Sequence, residues 1–176
     1  MLLALAFYAR NYVEFSDFSS VAVRDWGLAL LTGALVFVLW INLDQSWLTF
    51  GEPKGFNPAQ ADGSLDWALI AVRIFGAAAV VPVMEELFWR SFLMRWIDRH
   101  DFLRQAPVAV TLRALLITSV LFGVEHSLWF AGIVAGLAYG WLYVRSGSLW
   151  PSMIAHALTN LMLGIWVVMT GNWQFW

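Results

Sequence analysis

Long apolar runs alternate with short polar breaks along the whole chain. The first clear run, 26–43, holds no charged residue and is bounded by Arg24, Asp25 and Asp44. A helix needs about 20 mainly apolar residues to cross a bilayer. This run therefore predicts a first membrane span.

A polar break over 44–66 separates this run from the next one. It holds prolines, glycines and several acids, which predicts an acidic loop. From Leu65 a helical pattern continues to Ile97, and beyond Glu85 it becomes amphipathic as charged and apolar residues alternate. Pro82 lacks an N–H, so we expect a kink inside this helix.

Three further runs fill the rest of the chain. One covers 107–126, the next begins at Ser127 or Leu128 and ends at Arg145, and the last covers 150–170. Each is long enough and apolar enough to predict a helix within the membrane.

Gly132, Gly136 and Gly140 recur every four residues in one of these runs. At that spacing they share one face of a helix, and small residues there let a neighbouring membrane helix approach closely. We therefore expect this strip at a contact between helices. The Ser-Gly-Ser sequence at 146–148 predicts a tight turn before the last span.

The composition agrees with an integral membrane protein. Of the 176 residues, 61% are hydrophobic and 12% are charged, whereas soluble domains carry about 25% charged residues. The predicted fold class is all-α, a polytopic transmembrane helix bundle of about five to six membrane helices. Residues 1–64 are expected to form the N-terminal membrane helix or helices and the acidic loop, and residues 65–176 the core.

Charge and cysteine content exclude several classes of function. The net charge is −2, and the basic residues form no long run that could follow a phosphate backbone. Nucleic acid is therefore not an expected partner, whereas the lipid bilayer is. The absence of cysteine excludes disulfides, thiolate metal sites and cysteine nucleophiles.

Arginine gathers in the predicted loops on one side of the bundle. Arg95, Arg99 and Arg104 lie in one short loop and Arg145 in another. An alternating topology puts both loops on the same side, opposite the acidic loop. The positive-inside rule then predicts that the arginine loops are cytoplasmic.

Three charged residues interrupt the second apolar run. Glu85, Glu86 and Arg90 lie where a charged side chain costs about 2.5–3.5 kcal/mol on insertion scales. Residues four apart share a helical face, so Glu86 can pair with Arg90 while Glu85 points elsewhere. A charge cluster at a helix end is the alternative interpretation.

Two other runs carry polar side chains among apolar residues. His126 ends one run, and His156 and Asn160 share one helical face in the last. Each alone is more typical of a hydrogen bond between helices, but together with the glutamates they indicate a functional site in the membrane. A rise of about 1.5 Å per residue lets them meet in one layer, with His126 the highest.

These side chains belong to three patterns that follow one another in the chain: Glu85-Glu86-x-x-x-Arg90, Phe122-x-x-x-His126 and His156-x-x-x-Asn160. The patterns resemble the signature motifs of the CPBP family, the CaaX proteases and bacteriocin-processing enzymes. The resemblance covers roughly 81–163, about half of the chain. The short size and tryptophan-rich flanks are also similar to CaaX-protease-related proteins associated with bacterial exosortase systems.

The resemblance implies a glutamate-dependent intramembrane protease without a cofactor, whose catalytic core is 65–176. It makes Glu85 the general base that activates water, with His126 assisting. It implies that His156 and Asn160 stabilise the oxyanion of the tetrahedral intermediate. Peptide hydrolysis without a covalent intermediate needs such a base and such donors.

The same resemblance assigns Glu86 and Arg90 to an ion pair that supports the site. The implied substrate is a membrane-anchored protein or peptide, of which a prenylated CaaX-type protein is one form. The implied location is a bacterial inner membrane.

Two rival hypotheses stay open. Glu85, His126 and His156 are plausible zinc ligands, and zinc would activate water in the same place, although the chain has no His-Glu-x-x-His sequence. The other rival is a non-catalytic membrane scaffold or immunity-type protein that keeps these residues for packing.

Overall fold

Five helices make up the fold in the computed structural model, which describes residues 13–51 and 55–176. They are α1 (Val23–Trp40), α2 (Trp67–Asp98), α3 (Leu112–Val124), α4 (Trp129–Ser146) and α5 (Trp150–Thr170). Within the described ranges no strand forms, and a single isolated bridge joins Ala59 to Leu65. The all-α prediction is confirmed.

Three of these helices, α1, α2 and α5, are long and apolar enough to cross a membrane, and α3 is a shorter apolar helix. This finding agrees with the predicted helical membrane bundle. The bounds of α5 are those of the predicted last span, 150–170. α1 lies three residues earlier than the predicted run 26–43 at both ends.

The predicted helix over 107–126 is shorter in the structure. Pro107–Ala109 forms a separate 3₁₀ turn, and α3 begins only after Thr111, whose hydroxyl accepts a hydrogen bond from the Ala114 amide at 3.2 Å. The Asp98 carboxylate holds Thr111 in place, since it accepts from the Thr111 amide at 2.7 Å. α3 ends at Val124, so His126 lies in the connection to α4 rather than in a helix.

Short connections make α3, α4 and α5 consecutive antiparallel neighbours. α3 packs along α4, α1 packs along α5, and α4 also contacts both α1 and α5. α2 contacts α5 through its middle and α3 through its C-terminal part. The centre of the bundle therefore receives side chains from every helix.

The glycine strip of α4 faces α3, as its spacing predicts. A Cβ built on Gly132 would lie 2.8 Å from the Gly123 Cα, and one on Gly136 would lie 2.9 Å from the Ser119 Cα. A Cβ on Gly140 would meet the Leu115 side chain at 2.4 Å. The two helices approach so closely that no side chain fits between them.

α2 is one continuous helix with two wide, π-helical turns, Gly76–Val80 and Leu87–Met94. The first wide turn ends two residues before Pro82, the residue where a kink was predicted. There the Val81 amide donates to the Gly76 carbonyl, five residues back. A wider turn gives a proline ring room that the regular α-helix denies it.

The two ends of the bundle differ in character. At the end called the arginine end, Arg95 and Arg99 close α2 and Arg145 closes α4. Asp25 at the start of α1 lies 3.7 Å from the Arg145 guanidinium, so α1 begins at this end. The predicted tight turn is also found here, with Gly147 at φ 72°.

The other end, called the acidic-loop end, is closed by segments from both sides of the sequence. The Phe50 amide donates to the Ser127 carbonyl at 2.7 Å. The Phe56 amide donates to the Trp176 carbonyl at 3.0 Å. The acidic loop and the 3₁₀ turn Trp173–Phe175 thus meet over the ends of the helices.

Substituting Gly132 by alanine should destabilise the protein. The new Cβ must displace the Gly123 backbone, and overpacking of this kind typically costs about 1–3 kcal/mol. Gly27→Ala is the matched control, because a Cβ there meets nothing within 4 Å and a helical alanine is favourable by up to about 1 kcal/mol. We expect a lower Tm in detergent for Gly132→Ala and an equal or higher Tm for Gly27→Ala. Equal Tm values for the two variants would contradict the close contact.

Candidate active site

Glu86 and Arg90 form an ion pair in the centre of the bundle. The Arg90 Nη1 lies 3.0 Å from the Glu86 Oε1, and the two side chains are 1% and 0% exposed. The spacing of four residues predicts this pair, and the structure contains it. Two opposite charges at this depth stabilise each other where neither would be tolerated alone.

Arg90 lies between two aromatic rings. The guanidinium carbon is 4.7 Å from the centre of the Phe122 ring on α3 and 5.5 Å from that of the Tyr139 ring on α4. The Nη2 atom donates to the Gly136 carbonyl at 3.3 Å. Ring faces attract a cation most strongly when water is excluded, so contacts from α3 and α4 fix this guanidinium in one position.

His156 lies between the two glutamates. Its Nδ1 atom is 2.9 Å from the Glu86 Oε1, and its Nε2 atom is 4.0 Å from the Glu85 Oε2. The ring stacks on Tyr139 with centroids 4.9 Å apart and planes 17° from parallel. Since Glu86 is paired with Arg90 as a carboxylate, the His156 Nδ1 carries the hydrogen of this bond.

Tyr139 is in turn held by polar contacts to α5 and α1. Its hydroxyl donates to the Thr159 Oγ1 at 2.8 Å, and that oxygen lies 2.9 Å from the Gly33 carbonyl. The Ser152 hydroxyl donates to the Tyr139 carbonyl at 2.8 Å. The ring that supports both Arg90 and His156 therefore has little freedom to move.

Glu85 points away from the ion pair and into a cavity of about 130 Å³. His126, His156 and Asn160 also line this cavity. A water molecule occupies about 30 Å³ in the liquid, so the cavity has room for several. The Glu85 Oε2 atom is buried and has no hydrogen-bond partner among the described residues, which leaves it available to a water molecule.

His126 reaches the cavity by folding back toward α3. Its Nδ1 atom lies 2.7 Å from the Phe122 carbonyl, and its ring is 4.7 Å from the Phe122 ring. A carbonyl only accepts, so Nδ1 carries the hydrogen and Nε2 is the nitrogen that can accept a proton. The His126 ring, expected from the sequence to be the highest of the polar side chains, therefore lines the same cavity as Glu85.

Asn160 has a partner that the sequence does not suggest. Its Nδ2 atom donates to the Ala77 carbonyl at 2.9 Å, inside the first wide turn of α2. The helical donor five residues after Ala77 would be residue 82, which is proline and has no N–H. Asn160 therefore satisfies a carbonyl that Pro82 cannot, and its second amide hydrogen remains for a ligand in the cavity.

A second cavity of about 190 Å³, called the mouth, lies at the acidic-loop end of the bundle. Trp40 and His126 line both the mouth and the first cavity, and their rings meet edge to face with centroids 5.4 Å apart. Gln174, Phe175 and Trp176 form the far wall. This pair of rings thus lies where the two cavities adjoin.

No three His, Asp or Glu side chains in the described ranges are grouped in a way that could hold a metal ion. The first cavity is lined by the three plausible zinc ligands, Glu85, His126 and His156. They do not form such a group.

The sequence singles out six polar residues and includes Phe122 in one of the three patterns, but it does not indicate three other side chains that hold them: Tyr139, Trp40 and Thr159. The sequence gives a weak indication that Tyr139 lies at a helix contact, because it is three residues after Gly136 and next to Gly140. Nothing in the sequence around Trp40 distinguishes it from the other tryptophans. Its role depends on which helix α1 packs against.

Comparison with known families gives a match. The family model described as Rce1-like, type II CAAX prenyl endopeptidase Rce1-like, matches residues 67–162, which is more than half of the chain. All six candidate residues lie inside the matched range, whereas Trp40 and the wall formed by 174–176 lie outside it. No curated protein matches the chain, and no solved structure does.

The bond from Asn160 to the Ala77 carbonyl predicts an energetic coupling between Asn160 and Pro82. Asn160→Ala leaves this carbonyl unpaired, which destabilises a helix inside a membrane. In a Pro82→Ala background the backbone regains an N–H at position 82 that can donate to Ala77, so the same loss should be smaller. We expect a coupling energy of about 0.5–3 kcal/mol from a double-mutant cycle on unfolding in detergent.

The control cycle pairs Asn160→Ala with Gly27→Ala, which lies on α1 with open space around it. Additive effects are expected there. If the effects are additive in the Pro82 cycle as well, the hydrogen bond from Asn160 to the Ala77 carbonyl does not stabilise the wide turn.

Proposed function

Because the chain belongs to the Rce1-like family of type II CAAX prenyl endopeptidases, we propose that it hydrolyses a peptide bond of a membrane-anchored protein with a water activated by Glu85. The observation that carries the proposal is the shared cavity of Glu85, His126, His156 and Asn160. A carboxylate with a buried, unpaired oxygen faces this space.

In the first step, water in the cavity gives a proton to the Glu85 carboxylate. The hydroxide attacks the carbonyl carbon of the substrate peptide bond. The His126 Nε2 atom orients the water, since its Nδ1 hydrogen is already engaged with the Phe122 carbonyl. A positioned base of this kind is worth about 10²–10⁴-fold in rate.

The attack places negative charge on the substrate oxygen. Asn160 donates to this oxyanion through its second amide hydrogen, and His156 donates through Nε2. Because the His156 Nδ1 hydrogen is held by Glu86, donation from Nε2 requires the imidazolium form. Before the attack, while Glu85 and Glu86 are both carboxylates, an imidazolium and Arg90 bring the site to neutrality. After the attack, the charge of the oxyanion replaces that of Glu85.

The tetrahedral intermediate then collapses. Its C–N bond breaks, and the Glu85 carboxylic acid returns the proton to the leaving nitrogen. The products are a new amine end and a new carboxylic acid end, whose proton passes to water or to the amine, and Glu85 is a carboxylate again. Glu86 and Arg90 do not touch the substrate in this scheme; they hold His156 in position.

The substrate enters through the mouth, because the mouth and the first cavity share Trp40 and His126. Aromatic rings of Trp40, Phe175 and Trp176 favour an apolar segment near the scissile bond. A prenylated CaaX-type protein is one substrate of this class, and an unmodified transmembrane peptide is another.

The proposal sets the protein in a bacterial inner membrane with the arginine end in the cytoplasm. The mouth then opens toward the other side of the membrane. Arg95, Arg99 and Arg145 all lie at the arginine end, which supports this orientation.

Glu85→Gln should reduce cleavage by at least about 100-fold while the protein remains folded, because the variant lacks the base. Glu125→Gln is the matched control, since Glu125 is exposed and lines neither cavity. Cleavage is measured on a farnesylated CaaX peptide and by comparing the protein termini in membranes of cells that carry each form.

A zinc chelator applied to the same assay separates the two hydrolytic schemes. The proposed scheme predicts full activity after chelation, whereas the zinc alternative predicts its loss. A scaffold or immunity protein would give the same phenotype with Glu85→Gln as with the unmodified chain, and no change in protein termini.

Trp40→Ala should raise the KM for substrates with a large apolar residue near the scissile bond by roughly tenfold, because an aromatic wall of the mouth is lost. The kcat should change little, since Trp40 does not act on the reacting atoms. Trp47→Ala, at an exposed tryptophan of the same end, is the control. An unchanged KM for Trp40→Ala, or an equal rise for both variants, would contradict entry through the mouth.

A further inference from the structure

A third cavity lies at the arginine end, opposite the mouth. Its volume is about 180 Å³, and Glu14, Asp17, Arg95 and Tyr143 supply its polar lining. Pro107 and Leu149 form an apolar part of the cavity wall. None of these residues lines the mouth or the cavity of Glu85.

Three side chains of this cavity have buried polar atoms without a hydrogen bond of good geometry in the described part of the chain, although the Tyr143 hydroxyl faces the Arg95 guanidinium. The atoms are the Arg95 Nε and Nη2, the Tyr143 hydroxyl and the Asp17 Oδ1. Arg95 is 5% exposed and Tyr143 is 1% exposed. Buried polar groups are satisfied in native proteins with few exceptions, so these call for a partner.

The contacts that Arg95 does make leave most of its donors unused. Its Nη2 atom lies 3.6 Å from the Glu14 Oε1, which is too long for a hydrogen bond. That same carboxylate oxygen also accepts from the Ser91 hydroxyl. The guanidinium lies 5.4 Å from the Phe102 ring centre, which satisfies no N–H.

The cavity thus presents two opposite kinds of binding group. The Arg95 guanidinium and the Tyr143 hydroxyl donate hydrogen bonds and suit anionic oxygens such as those of a phosphate. The Asp17 and Glu14 carboxylates accept hydrogen bonds and suit an ammonium group. A ligand that carries a phosphate and a primary amine close together would satisfy both.

Aromatic side chains beside the cavity indicate its depth in the membrane. The Phe15 and Phe18 rings lie 5.8 and 4.9 Å from the Trp150 ring, and Phe18 also contacts Trp26 at 5.0 Å. Aromatic belts of this kind lie at the boundary between lipid and water. Phospholipid headgroups occupy the same layer, so the ligand chemistry and the depth agree.

We propose that this cavity binds the headgroup of a phospholipid with a primary amine, of the phosphatidylethanolamine class. The phosphate contacts Arg95 and Tyr143, and the ammonium contacts Asp17 and Glu14. The inference does not rest on the proposed protease activity, and its test reads out binding alone.

The test compares lipids by native mass spectrometry of the detergent-solubilised protein, with binding constants from titration. Phosphatidylethanolamine should bind about tenfold more tightly than phosphatidylcholine, which has no N–H for the carboxylates. Soluble phosphoethanolamine is the third ligand. Equal or tighter binding of this soluble compound would overturn the assignment to a membrane lipid.

Tyr143→Phe and Asp17→Asn should each remove most of the preference for phosphatidylethanolamine, because each deletes one side of the site. The two residues lie on different elements, and an unchanged Tm for either variant shows that it folds. Arg104→Gln is the control, since the Arg104 side chain is 74% exposed at the same end and should leave the preference intact. No preference in the unmodified protein, or full preference in both folded variants, would mean that the cavity holds only water.

Discussion

The ion pair between Arg90 and Glu86 is the interaction on which the rest of the site depends. It places two charges inside a membrane helix, where an unpaired charge has a high free-energy cost. Its partners come from three other helices: the ring of Phe122 on α3, the ring and backbone of α4 at Tyr139 and Gly136, and His156 on α5. A buried charge is tolerated only when its partners surround it. The bundle must therefore be fully assembled before the pair is stable, and once assembled it fixes the position of His156.

Close packing of small residues makes this assembly possible. Gly132 and Gly136 let α4 approach α3 closely, and Gly33 gives α1 the same contact with Ala155 on α5, at 2.6 Å from a built Cβ to the carbonyl. In lipid there is little hydrophobic driving force between helices, so such contacts and polar bonds provide the association. The wide turn before Pro82 adds a further bond, from Asn160 to a carbonyl that the helix leaves unpaired. The Asn160 side chain thus links α5 to α2 and also lines the cavity of Glu85.

The sequence predicts the helices, the glycine contact and the Glu86–Arg90 pair, because each depends on spacing along one helix. It does not predict Tyr139 or Trp40, since their roles depend on which faces meet after packing. His126 shows the limit within one segment: the sequence predicts a helix to residue 126, whereas α3 ends at Val124 and the His126 side chain turns back to the Phe122 carbonyl. The unpaired Ala77 carbonyl follows from Pro82 alone, but its partner, 83 residues away in the chain, does not.

A structure of the protein bound to a peptide phosphinate, a stable imitation of the tetrahedral intermediate, tests the account most directly. We expect one phosphinate oxygen within hydrogen-bond distance of the His156 Nε2 and the Asn160 Nδ2, and the other beside Glu85. A phosphinate bound away from Glu85, or one held by a metal ion between Glu85 and the histidines, would contradict it.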